Sequence, residues 1–256
     1  LRHGIKRKKS IHTFAKLKSK KSMGKNKLKK FAQNETYEHV IQPENKEVLD
    51  SDFRLKGKWN EEFGNNNPIV LELACGKGEY SVGMAEIYPE KNFIGMDIKG
   101  ARIFSGAKEV EEKGLSNVRF IRTKIDFINS FFDENEISEI WILFADPQIG
   151  KPRKKLTSEM FLNRYINILK PQGLLNLKSD SDDLYEFTRD ESLPEFNAKN
   201  TKLQFEKLED TSELYESGIQ QFDETMQRVL NIRTFYEQMW LSQGKKMKFL
   251  SYQLNR

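Results

Sequence analysis

From Ile69 onward, short apolar runs alternate with helical stretches, and this alternation restricts the fold more than any other feature of the chain. The runs Ile69–Leu73, Asn92–Met96, Val118–Ile121, Glu139–Phe144 and Leu174–Leu177 have the length and the β-branched or aromatic content of buried strands. Between them the apolar spacing predicts helices over Glu79–Tyr88, stopped by Pro89, and over Ala101–Lys113, Phe127–Phe132 and Ser158–Leu169, the last stopped by Lys170-Pro171-Gln172-Gly173. Strands joined through helices cannot pair as hairpins. They predict an α/β fold, a doubly wound and mostly parallel sheet with helices on both faces. Beyond Asp183 the rhythm changes. A strand-like Leu203–Leu208, a long polar stretch, a helix over Thr234–Ser242 and a last strand at Met247–Tyr252 complete a sheet expected to hold seven strands.

Charge divides the chain differently. Residues 1–34 hold thirteen Lys or Arg and no acid, so a net charge of +5 overall leaves −8 on the remainder. Like charges in a row repel and stay extended, which suits an arm for nucleic acid; a solubilising tail is the plain alternative. Residues 1–43 lack sustained periodicity and are expected to be mostly disordered, with the folded domain over residues 44–256. Met23 is a candidate natural start, which would make residues 1–22 an upstream extension. Helix or turn is expected over Glu44–Phe63, ended by Gly64-Asn65-Asn66-Asn67-Pro68. A single cysteine excludes an internal disulfide, and three scattered histidines give no zinc-site spacing, so no metal is expected. No apolar run approaches the ~20 residues that cross a membrane, and a reducing cytoplasm is the simplest setting.

The first strand runs into Glu72-Leu73-Ala74-Cys75-Gly76-Lys77-Gly78. A Gly-x-Gly turn at the carboxyl end of a strand lets backbone approach a nucleotide where a side chain would block it, and Gly76 and Gly78 stand in that place. Asp97 ends the next strand and offers a carboxylate to ribose hydroxyls. Nicotinamide enzymes share this geometry. The early acid Glu72, and Ser81 where Gly-x-Gly-x-x-Gly would require its third glycine, favour S-adenosylmethionine and therefore a methyltransferase. A tight turn for the glycines and a plain strand end for Asp97 are the structural alternatives.

After the fourth strand comes Phe144-Ala145-Asp146-Pro147-Gln148, then Lys151, Arg153, Lys154 and Lys155 within eight residues. Asp-Pro at a strand end aims a carboxylate into the crevice while the proline stiffens the turn. The cations would hold phosphates beside it, or else form a solvated helix entry.

Taken in order, the motifs resemble the bacterial tRNA (guanine-N7-)-methyltransferases, from about Gly24 to the C-terminus. The resemblance rests on the Glu72–Gly78 loop, Phe93–Ala101, Phe144–Lys155, Leu177-Lys178-Ser179-Asp180 and Thr234-Phe235-Tyr236-Glu237. It implies a Rossmann-like class I methyltransferase that moves a methyl group from S-adenosylmethionine to guanine N7 in the variable loop of tRNA. Glu72, Gly76, Gly78 and Asp97 would then hold the cofactor. Asp146 would be the catalytic aspartate, also beside the cofactor, while Lys151, Asp180, Thr234, Phe235, Tyr236 and Glu237 would face the guanine or nearby RNA. Where the family has a third cofactor acid, direct counting reaches Lys124, with Asp126 two residues on. Ala74 replaces a glycine, and Ala145 and Gln148 stand in a loop shorter than many relatives have.

The chemistry agrees. Guanine N7 carries a free lone pair, so alignment rather than deprotonation is the main task. Asp146 is therefore expected to orient guanine through its N1–H and 2-amino group, with Asp180 able to share this work, while cations hold phosphates. A methyltransferase for other RNA or small molecules remains as an alternative, and so does a tRNA-binding protein without catalysis. The oligomeric state is left open.

Overall fold

The computed structural model describes residues 27–49 and 51–256. Residues 27–34 form helix α1. Strand β1 (Val40–Ile41) and two short helices, α2 (Asn45–Leu49) and α3 (Trp59–Phe63), precede the alternating region. There β2 (Ile69–Leu73), α4 (Glu79–Ile87), β3 (Asn92–Asp97), α5 (Gly100–Lys113), β4 (Val118–Arg122), α6 (Ile128–Phe131), β5 (Ile137–Leu143), α7 (Glu159–Ile168) and β6 (Leu169–Ser179) follow the expected order. The C-terminal part holds α8 (Asp182–Glu186), α9 (Leu193–Lys199), β7 (Gln204–Thr211), α10 (Glu224–Leu230), α11 (Phe235–Ser242) and β8 (Lys248–Asn255).

One eight-stranded sheet runs β1-β4-β3-β2-β5-β6-β8-β7. The first six strands in that order are parallel, while β8 lies antiparallel to both β6 and β7. The strand beyond the expected seven is β1, within the stretch expected to lack order. It is held by bonds to distant parts of the chain: the Phe120 amide donates to the His39 carbonyl, the His39 Nε2–H to the Ala107 carbonyl, and the Asn34 side chain to the Gly100 carbonyl. The remainder of that stretch, residues 1–26, lies outside the described residues. β6 also starts earlier than expected. The chain leaves α7 straight into Leu169, bulges through Gln172 at φ 62°, and resumes register opposite Glu139 at Leu174.

Alternation along the central strands builds two cores. Leu71, Leu73, Ile94, Met96, Ile140 and Ile142 face one side, and Val70, Phe93, Trp141 and Leu143 face the other. Burial on both faces is what a doubly wound parallel sheet requires. The chain passes from β2 outward through β3 and β4, then returns to β5 on the other side of β2. The crevice at that reversal, outside the carboxyl ends of the strands, is where such sheets bind ligands.

Candidate active site

Five loops converge on that crevice. After β2 the backbone is left-handed at Ala74 (φ 57°), Gly76 (φ 58°) and Gly78 (φ 73°). Gly78 is doubly required, because a Cβ there would also lie 2.5 Å from the Phe120 ring. Ala74 bears the left-handed strain that a glycine would avoid. Asp97 ties the loop to β3: its carboxylate accepts from the Gly76 amide at 2.9 Å and from the Lys99 amide at 2.7 Å.

A cavity of about 610 Å³ opens beside this loop. Asp97, Lys124, Asp126 and Asp146 supply its polar edges, and Ala74, Ile98, Ile125, Met160 and Phe161 its apolar walls. Lys124 and Asp126, alternatives by sequence, both line it. Glu72 does not. Strand alternation turns it under α4, where it is buried and accepts hydrogen bonds from both the amide and the hydroxyl of Ser81. Burial pushes its carboxyl up to about 8. Glu72, expected to contact the cofactor, thus anchors α4 and lines neither cavity.

A second cavity of about 1090 Å³ lies between the loops after β5 and β6 and helix α11. Asp146, Asp180, Tyr236, Trp240, Lys245 and Lys246 are among its lining residues. Lys99, Arg102, Phe144, Ala145 and Asp146 border both cavities. Asp146 is solvent-exposed and its carboxylate accepts from the Gln148 amide at 3.0 Å, which sets its direction. The backbone at Phe144 is left-handed (φ 49°), and this swings the Asp-Pro turn out of the strand.

The cation run after Asp146 divides. Lys154 lines the smaller cavity, whereas the exposed Lys151 borders neither cavity. Lys155, expected to hold phosphate, is buried: it is bonded to the Asp183 carboxylate and carbonyl and lies 4.5 Å over the Phe187 ring. Its ammonium is committed inside the fold.

The Thr234–Glu237 segment also divides. Thr234 caps α11, accepting from the Glu237 amide at 3.1 Å, while the Glu237 carboxylate returns to the Thr234 amide. Glu237 is fully buried and pairs with the equally buried Lys178 at 2.7 Å. Lys178 also donates to the hydroxyls of Tyr80 and Tyr215 and to the Leu230 carbonyl. Burial pulls its ammonium down to about 8, against the pull of Glu237. Phe235 is exposed outside the cavity, with Lys77 over its ring at 4.2 Å. Of the four, only Tyr236 lines the cavity, and its hydroxyl accepts from Arg102 at 3.1 Å. The sequence reading passed over Lys178 and Trp240. A lone lysine in the apolar run Leu174–Leu177 onward, and an aromatic one helical turn after Tyr236, were the available signals.

Among the described residues no helix is long and apolar enough to cross a membrane, and no group of three or more His, Cys, Asp or Glu is arranged for a metal. The fold and its crevice are those of a Rossmann-like domain, and likeness to known proteins makes the chain a methyltransferase. In fold the chain is similar to the solved 16S rRNA methyltransferase KamB (TM-score 0.58, 11% identity, 85% of this chain and 99% of that one). It is likewise similar to a solved antibiotic-related methyltransferase (TM-score 0.56, 18% identity, 80% and 96%). Residues 66–250 match a family model described as "Putative methyltransferase". The tRNA (guanine-N(7)-)-methyltransferases of Christiangramia forsetii and Bacteroides thetaiotaomicron are 45% and 43% identical to it. They match over 90% and 91% of this chain and 98% and 87% of their own lengths. The chain belongs to the tRNA (guanine-N7-)-methyltransferase family.

Proposed function

We propose that this chain transfers a methyl group from S-adenosylmethionine to N7 of a guanine in the variable loop of tRNA. The position of Asp146 on the wall shared by two cavities carries this reading, because methyl donor and acceptor must meet at one point. When bound, S-adenosylmethionine supplies a methyl group on a positively charged sulfur. The smaller cavity fits it. Each Asp97 oxygen spends one lone pair on a backbone N–H and keeps another for a ribose hydroxyl. Ile98, Ile125, Met160 and Phe161 offer apolar faces to an adenine, and Lys124 and Asp126 stand at its edge.

Guanine geometry assigns the two aspartates. N7 and the N1–H/2-amino edge lie on opposite sides of the purine. Asp180 lines the larger cavity alone and suits the N1–H/2-amino edge, as a carboxylate accepting two hydrogen bonds. Asp146 then lies beside N7, where its charge stabilises the positive charge appearing on the purine. This moves to Asp180 the orienting role that sequence suggested for Asp146. Lys99, Arg102, Lys154 and Lys246 rim the cavities and would hold phosphates. The basic leading segment adds further contacts ahead of the sheet, whose first strand is β1 at Val40–Ile41, in a cytoplasmic setting.

Incubation with labelled S-adenosylmethionine and bulk tRNA, followed by borohydride and aniline cleavage, tests the reading. Scission in the variable loop is expected, with Asp146→Asn slowing turnover by about 10²–10³-fold. Product elsewhere in tRNA, or only on small molecules, would overturn it.

A further inference from the structure

Alkylation of N7 changes the charge of the base. The N–CH3 bond forms as the S–CH3 bond breaks, and the positive charge passes from sulfur to the purine. The acceptor cavity must therefore accommodate a neutral guanine first and a purinium cation afterwards.

A place for a flat cation is already built there. Lys245 Nζ lies 4.0 Å from the centre of the Trp240 ring and 2.7 Å from an Asp180 oxygen. An aromatic face and a carboxylate thus converge on one ammonium, and all three residues line the acceptor cavity. A cation over the face of a tryptophan is held by the ring quadrupole, and tryptophan holds it best of the aromatic side chains. The two neighbouring lysines are engaged differently: Lys246 pairs with Glu213 and Glu216, and Lys248 with Asp182. Only Lys245 among them uses the ring. It follows Gly244, whose left-handed backbone (φ 76°) turns the chain back toward the cavity after α11, and its long side chain is 42% exposed.

We propose that Lys245 is an internal stand-in for the alkylated base. The N7-methylguanine ring takes its place on Trp240, with the N1–H and 2-amino group on Asp180, and the displaced ammonium moves to a phosphate of the RNA. The site then favours the purinium over neutral guanine, and Lys245 competes with it. Because the competitor is tethered, it keeps Asp180 neutralised between turnovers and limits how tightly the product is held. This rests on guanine N7 as the target.

The test uses the full chain, 7-methylguanosine monophosphate and guanosine monophosphate, with calorimetry as the readout. The wild type is expected to bind the methylated nucleotide about tenfold more tightly. Trp59 and Trp141 are buried, so quenching of tryptophan emission on binding would report Trp240. Lys245→Met is expected to tighten the methylated nucleotide several-fold. Trp240→Leu is expected to bring the ratio near one, and Trp240→Phe to restore part of it, which a merely structural tryptophan would not do. Equal affinities in the wild type, or an unchanged affinity in Lys245→Met, overturn the proposal. Variable-loop methylation of tRNA is measured on the same wild-type sample. If it proceeds while the ratio is one, this inference fails alone; if it is absent, the parent reading fails.

Discussion

Single carboxylates in this protein have been assigned opposite tasks by a few ångströms of placement. Asp97 ends β3 and Asp146 lies three residues past the end of β5, both lining the crevice, whereas Glu72, one position before its strand ends, alternates under α4. Its carboxyl stays protonated in the folded chain up to about 8, against an ordinary value of 4.5. A raised folded-state value contributes stability that is fully present below 4.5 and is lost as pH rises through 8. At 1.36 kcal/mol per unit, the loss is on the order of several kcal/mol. Glu72→Gln keeps a neutral acceptor for Ser81 and has no proton to lose. Its melting temperature is expected to fall less than that of the wild type between pH 5 and 7.5, with S-adenosylmethionine affinity within about threefold by calorimetry. Lys178, lowered to about 8, has the opposite sign, and its stability change falls between 8 and 10.5, above that window. Parallel melting curves for the two proteins would remove Glu72 from the argument.

At the scale of elements, α11 joins the acceptor site to the core. Its capping box and the Lys178–Glu237 pair fix the helix from beneath, so that Tyr236 and Trp240, one turn apart, both reach the cavity. A buried pair contributes little net stability, but stranding one partner is costly. Glu237→Leu alone is expected to cost about 3–5 kcal/mol in urea unfolding. Adding Lys178→Met is expected to recover most of that loss; no recovery would mean that the two charges do not act as a pair. Thr-x-x-Glu is also the pattern of a capping box, so the helix start at Thr234 was legible in the sequence, whereas the burial of Glu237 against Lys178 was not. The central strands were legible for a similar reason, since runs such as Ile69–Leu73 are too apolar to lie anywhere but between two layers. β1 was not, because two residues carry no period, and its pairing depends on His39 and Asn34 reaching α5. The start of β6 was hidden by Pro171 and Gly173, which read as a stop and prove to be a bulge. Lys155 was misjudged because a run of cations does not reveal which member turns inward. Asp97, Asp146 and Asp180 could be located because strand ends are positions that sequence defines; Trp240 and Lys245 meet only through the turn at Gly244.

For the whole molecule, charge and site are placed in different parts of the chain. Residues 35–256 carry a net −8, so an approaching RNA meets a body of its own sign, relieved only where cations rim the crevice. The compensating charge is concentrated at the other end, with thirteen Lys or Arg in residues 1–34. Long-range attraction governs encounter and non-specific affinity, and is lost as salt rises. Each arm cation that reaches a phosphate is expected to add about 0.7–0.9 to the slope of log affinity against log salt. Removing residues 1–22 deletes nine of these cations and none of the residues that line either cavity. The truncated chain is therefore expected to bind tRNA with a slope shallower by about 2 or more, and more weakly at low salt. Turnover at saturating tRNA should be unchanged. Lys155→Met, by contrast, should lower the melting temperature and leave the slope where it was, since that ammonium is spent on Asp183. Filter-binding isotherms across a salt series would separate the two. An unchanged slope on truncation would return the arm to the status of a tail and leave phosphate binding to the crevice rim alone.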